Sequence, residues 1–233
     1  MSDKGERTIE AVLGEFLREQ EGKLSVRTLR QYDSVIQLLV HCLDGYGWNH
    51  VTKKDEARVA ERRKAPGMEW KFCALFGPEH IVGCYDEFLG YFMVRKVVAG
   101  KDLMRAAGSV TKKLAAWLAE KGYIGQAEAR EGVEAGAEAA RDLPAAREIA
   151  DALDEGAEYG PEDVSDSEEG HFSVTRREGT KLWVTSLAGG SLGPIDVPGW
   201  IAEGLKVGWR VSGVLGKVGR RWVFLEAWNV YPM

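Results

Sequence analysis

The chain is poor in several features that mark out whole classes of protein. Its three cysteines, Cys42, Cys73 and Cys84, are an odd number without close pairing, which argues against a secreted disulfide framework. No apolar run approaches the roughly 18 residues that a membrane span needs. The first residues, Met1-Ser-Asp-Lys-Gly-Glu-Arg7, are polar and mixed in charge, unlike a secretory leader. The expectation is a cytoplasmic chain with no membrane partner. Histidine is also scarce, with His171 alone beyond position 124. No phosphate-binding glycine loop, nucleophile elbow or His-Glu-x-x-His element occurs. His41, Cys42, Cys73, His80 and Cys84 fit no common zinc spacing, and Cys42 continues an apolar stripe, so these cysteines read as core thiols. No metal and no cofactor are expected.

What is present is an ordinary globular composition, 45% hydrophobic and 29% charged. At 233 residues the length suits two modest domains. The net charge of −5 is unevenly spread. Residues 1–124 carry 20 Lys and Arg against 17 Asp and Glu, residues 125–170 carry 3 against 15, and residues 171–233 carry 8 against 4. Both ends are mildly basic, and the segment between them holds the negative excess. A low overall pI is therefore weak evidence against a polyanionic ligand, since the potential that matters is local.

Up to residue 124 the apolar spacing is helical. Ile9, Val12, Leu13, Phe16 and Leu17 form one amphipathic stripe. Ser25 stands where an N-cap belongs, before Val26, Leu29, Tyr32, Val35, Ile36 and Leu39. Residues from Lys53 to Lys64 are nearly all charged, a solvated helix or loop closed by Pro66-Gly67. A short apolar segment follows at Trp70–Phe76, and Tyr85, Phe88, Leu89, Phe92 and Val94 mark another helix. A longer helix carries Leu103, Met104, Ala107, Val110, Leu114, Trp117 and Leu118. The Ala- and Glu-rich stretch 125–158 reads as a helical extension, with Pro144 suited to the first turn of a helix bearing Ile149 and Leu153. Residues 159–170, rich in Pro, Gly, Ser and acids, read as a linker.

Beyond 170 the period changes. His171–Arg177, Lys181–Leu187, Val207–Gly216 and Arg221–Tyr231 are strand-like, with hairpin turns at Arg177-Glu-Gly-Thr and Gly216-Lys-Val-Gly-Arg. Val197–Leu205 suits a helical turn between strands. The fold class is thus multi-domain α and β: an all-α bundle (1–124), the helical extension (125–158), the linker (159–170) and a small antiparallel β-barrel of the OB or SH3-like kind (171–233). Five of the eight tryptophans lie in this last segment: Trp183, Trp200, Trp209, Trp222 and Trp228. Trp222 and Trp228, six apart, are expected on one strand face, most simply the inner one. Trp183 and Trp209, with Arg210, Lys217, Arg220 and Arg221, are candidates for a binding face for nucleic acid or a protein. So small a domain also needs such rings for its core.

Two stretches in the helical half resemble the N-terminal core-binding domain of the tyrosine recombinase, or phage integrase, family. One is Phe16-Leu-Arg-Glu-Gln followed by Leu24-Ser-Val-Arg-Thr-Leu-Arg-Gln-Tyr32, similar to the family's opening helix and the Ser-x-x-Thr start of its second. The other is Phe88-Leu-Gly-Tyr-Phe with residues 101–124, similar to its last core-binding helix. The likeness covers roughly the first 124 residues, interrupted at about 47–78. It implies a helical clamp on double-stranded DNA. Carried over by position, the implied contacts are Ser25, Arg27, Thr28 and Arg30 on one helix and Lys101, Arg105, Ser109, Lys112 and Lys113 on another. Lys101, Arg105, Ser109 and Lys112 share one helical face, which is also what the solvated side of any amphipathic helix carries. The family's catalytic domain needs two arginines, a His-x-x-Arg element and a tyrosine nucleophile. Here His171 is followed by Phe-Ser-Val, and no such constellation surrounds Tyr231. The expectation is a non-catalytic DNA-binding protein, not an enzyme; the alternative is a protein-interaction adaptor.

Overall fold

A computed structural model describes residues 7–53, 55, 60, 71–157, 161 and 163–232. The charged stretch between Lys53 and Lys64, and Pro66-Gly67 behind it, lie almost wholly outside them. The described chain is helical to Ala157 and then forms a five-stranded sheet. It divides into two compact units: residues up to Met93 with Leu103–Ala140, and Val94–Asp102 with Arg141–Met233.

In the first unit, α1 (Ile9–Glu21) starts where the Thr8 hydroxyl accepts from the Ala11 N–H, and it buries Ile9, Val12, Leu13 and Phe16. Helix α2 (Val26–Tyr46) starts at Ser25 and buries Val35, Ile36, Leu39, Cys42 and Leu43. Both follow the sequence stripes closely. Short turns come next, including α3 (Phe72–Leu75). The aromatic run Asp86–Phe92 is π-helical and passes directly into α4 (Met93–Arg95). Helix α5 (Lys101–Glu120) buries Met104, Ala107, Gly108, Val110, Thr111 and Leu114.

Helix α6 (Gln126–Ala157) is continuous over 32 residues, with Pro144 inside it and not at a helix start. Its first half packs antiparallel on α5 through small residues. A Cβ on Gly108 would lie 2.2 Å from the Ala140 nitrogen, and one on Gly136 would lie 2.5 Å from the Lys112 nitrogen. Only glycine lets the two backbones approach so closely. Its second half belongs to the other unit, where Ala146, Ile149, Ala150 and Leu153 join the core of the sheet. The 125–158 stretch is thus core material in two places, and the compact units divide inside it.

The strands are β1 (Asp166–Glu178), β2 (Lys181–Ser186), β3 (Ser191–Asp196), β4 (Arg210–Val218) and β5 (Arg221–Tyr231). They close in the order β1-β2-β3-β5-β4, with β4 returning to β1. Every pairing is antiparallel except β3 with β5, joined at Ile195 and Trp222. The tight ends of the β1–β2 and β4–β5 hairpins hold Gly179 (φ 56°) and Gly219 (φ 60°), left-handed positions that favour glycine. Helix α7 (Gly199–Gly204) lies between β3 and β4, its last carbonyls (Ala202 and Glu203) accepting from Arg177. β1 begins at Asp166, inside the stretch read as linker. Its Asp166–Gly170 portion pairs with β4 only and is largely exposed, so it lacks the buried alternation that marks a strand in sequence.

Candidate nucleic-acid interface

The cap of α2 decides what two of the implied contact residues do. The Ser25 hydroxyl accepts from the Thr28 N–H at 3.2 Å and meets the Thr28 hydroxyl at 2.9 Å. Ser-x-x-Thr is thus a helix start with its own physical purpose, satisfying an end N–H. Arg27 and Arg30 are exposed one and two residues to either side of Thr28.

On α5, Arg105, Ser109, Lys112 and Lys113 are exposed, while Ala107, Gly108, Val110, Thr111 and Leu114 are buried. The polar stripe is therefore a true helix edge. The Ser109 hydroxyl donates back to the Arg105 carbonyl. Lys101 falls in the other compact unit and sits 2.8 Å from Glu148. The α5 set in the first unit is accordingly Arg105, Ser109, Lys112 and Lys113. Exposed acids, Glu131, Glu134 and Glu138, stand on the helix packed against it, which confines the positive potential to a patch.

In the barrel the candidates separate. Trp209 is 2% exposed and belongs to the core, with Lys206 Nζ 5.1 Å from its ring centroid; it offers no binding surface. Arg210 is half-buried beside Ser173 of β1 and Tyr231 of β5. Burial, then the charges of Arg210 and Arg95, lower the pKa of His171 from the usual imidazole value.

The parity expected of Trp222 and Trp228 fails. Two bulges on β5 leave Leu225 and Trp228 without cross-strand partners on β4, since Leu215 faces Phe224, Val214 faces Glu226, Gly213 faces Ala227 and Ser212 faces Asn229. Each bulge adds a residue and shifts the alternation. Trp222 packs against the core and Trp228 is 45% exposed.

Trp183 stands outward on β2, directly opposite Arg176 on β1. The Arg176 guanidinium carbon lies 3.6 Å from the ring centroid, a stacking distance. The ring also meets β3 at Gly193, where a Cβ would come within 2.7 Å of it. Arg176 was not legible as a site residue, because a register shift between Val174 and Arg176 turns it onto this face. Lys181 pairs across β2–β3 with Asp196, Ile195 with Trp222, and Trp222 with Lys217. These registers bring Lys181 of β2 and Lys217 and Arg221 of the β4–β5 hairpin to the seam between β3 and β5, while along β1 the β4–β5 tip lies beside Asp166, at the opposite end from the β1–β2 tip; Arg176 and Arg220 stand near the two tips. Their acidic neighbours pair loosely: Glu178 at 3.6 Å from Arg176, and Asp196 at 3.4 Å from Arg221. Exposed pairs of this kind contribute little and yield to a polyanion.

Among the described residues no group of three His, Cys, Asp or Glu side chains is placed to hold a metal. Burial raises all three thiol pKa values, to about 12 for Cys42 and about 11 for Cys84. Among the described residues no helix is long and apolar enough to cross a membrane. Compared with known proteins, the chain matches no family model, no curated protein and no solved structure.

Proposed function

We propose that this chain is a DNA-binding protein that acts by binding and not by catalysis. The observation that carries the reading is the α5 edge: Arg105, Lys112 and Lys113 are exposed along a helix whose opposite side is fully packed. Arg27 and Arg30, exposed at the start of α2, supply the same chemistry. Exposed cations of this kind neutralise phosphates and release counterions, which makes binding fall with salt. The resemblance to integrase core-binding domains supports duplex DNA as the ligand. In the barrel, strand order β1-β2-β3-β5-β4 with a helix between β3 and β4 supports an OB-type module, a class that often takes oligonucleotides. Changing Arg27, Arg30, Lys112 and Lys113 together to Ala is expected to abolish a low-salt electrophoretic shift of duplex DNA. A shift unaltered by the four changes removes the helical face from the account.

A second reading, a protein-interaction adaptor, rests on the exposure of Trp200 (49%), Val207 (64%) and Trp228 (45%). It predicts one stoichiometric protein partner whose capture survives nuclease treatment.

A further inference from the structure

The outer face of β1, β2 and β3 carries a feature that phosphate binding by itself does not use. Trp183 packs closely on β3, since a Cβ on Gly193 would lie 2.7 Å from its ring. Strand β1 fixes its position as well, since the Thr175 hydroxyl donates to the Trp183 carbonyl at 3.1 Å. The Arg176 guanidinium carbon lies over the ring, 3.6 Å from its centroid, and its side chain is 55% exposed. The result is a two-layer stack of ring and guanidinium, with the cation more than half exposed and Glu178 loosely paired to it at 3.6 Å.

The geometry points to this stack as a seat for an unpaired base of single-stranded nucleic acid, an inference that rests on the nucleic-acid reading above. Bases stack on guanidinium planes as well as on aromatic rings. In a duplex both faces of a base are covered by its neighbours, so a flat seat on a convex sheet selects a strand whose bases are splayed out. The flanking charge fits the same ligand. Lys181 lies two residues along β2 toward its hairpin tip and pairs across to Asp196 at the end of β3, where Arg221 of β5 also approaches at 3.4 Å. A strand laid across β1–β3 with one base on Arg176 brings its phosphates to these cations. The ring beneath keeps the guanidinium flat and in place before the ligand arrives, which reduces the ordering cost of binding.

The test uses the full chain and a labelled oligothymidylate of about twelve nucleotides, with a duplex of equal length in parallel. Arg176→Lys keeps the charge and removes the plane. It is expected to weaken oligothymidylate binding about tenfold, leave the salt slope unchanged and leave duplex binding intact. Trp183→Leu is expected to act in the same direction, with circular dichroism reporting that the barrel is folded. Oligothymidylate binding that Arg176→Lys does not weaken overturns the stack, as does duplex binding without single-strand affinity; in both cases the nucleic-acid reading stands. Affinity for neither ligand overturns both.

Discussion

A glycine and a histidine show how much single positions decide. Gly136 has no side chain because the Lys112 and Gly108 backbones occupy the space where one would begin, with a Cβ 2.5 Å from the Lys112 nitrogen and 2.8 Å from the Gly108 carbonyl oxygen. Neither is the end of a flexible side chain, so the helices must part to admit it. Gly136→Val is expected to destabilise the chain by about 1–3 kcal/mol or more, read as a lowered urea midpoint. His171 acts through pH. Its folded pKa is lowered, so between about pH 8 and pH 5 the unfolded chain takes up the proton before the folded one. Stability therefore falls with acid across this window, and His171→Gln is expected to flatten that part of the urea-midpoint profile. An unchanged profile contradicts the assignment. Cys42 was legible as core from its place in an apolar stripe, and Cys73 and Cys84 only from the lack of a zinc spacing. The Arg176–Trp183 stack was not, because a bulge of one residue decides which side chain faces the ring.

At the scale of elements, period was a good guide wherever one face is buried. α1, α2 and α5 lie where their stripes put them, and Thr8 and Ser25 start the first two as caps do. Period fails where the backbone departs from its regular form. The spacing of Tyr85, Phe88, Leu89 and Phe92 is that of an ordinary helix, yet the segment is π-helical. The even spacing of Trp222 and Trp228 would put both on one face of a regular strand, but the two bulges of β5 turn Trp228 outward. Pro144 looked like a beginning because proline favours the first turn. It lies instead inside a helix that buries Gly132 and Gly136 before it and Ile149 and Leu153 after it. One consequence concerns the barrel's edges as a folding unit. Ile149 is 2% exposed, and its side chain packs on Gly204 of α7. Ile149→Ala is expected to cost about 2–5 kcal/mol, and a fragment holding only residues 171–233 is expected to remain unfolded by circular dichroism. A cooperative thermal transition in that fragment contradicts a core shared with α6.

For the molecule as a whole, charge is sorted by surface and not by domain. Among the described residues, most acids of 125–170 lie on α6 and on the opening of β1, elements that are themselves part of the packed units. Cations are exposed on α2, on α5 and on the two hairpins of the barrel. The sequence showed which segments are basic. It did not show which side chains share an edge, because that depends on the close α5–α6 packing and on strand register. Binding through dispersed phosphate contacts has one signature that shape and sequence preference do not alter. The affinity of the full chain for duplex DNA, measured by fluorescence anisotropy across a range of salt, is the most direct test of the central claim. A linear fall of log affinity with log salt, with a slope that shrinks by roughly one for each of Arg27, Arg30, Lys112 and Lys113 removed, is the result expected. Absence of duplex affinity at the lowest salt contradicts it.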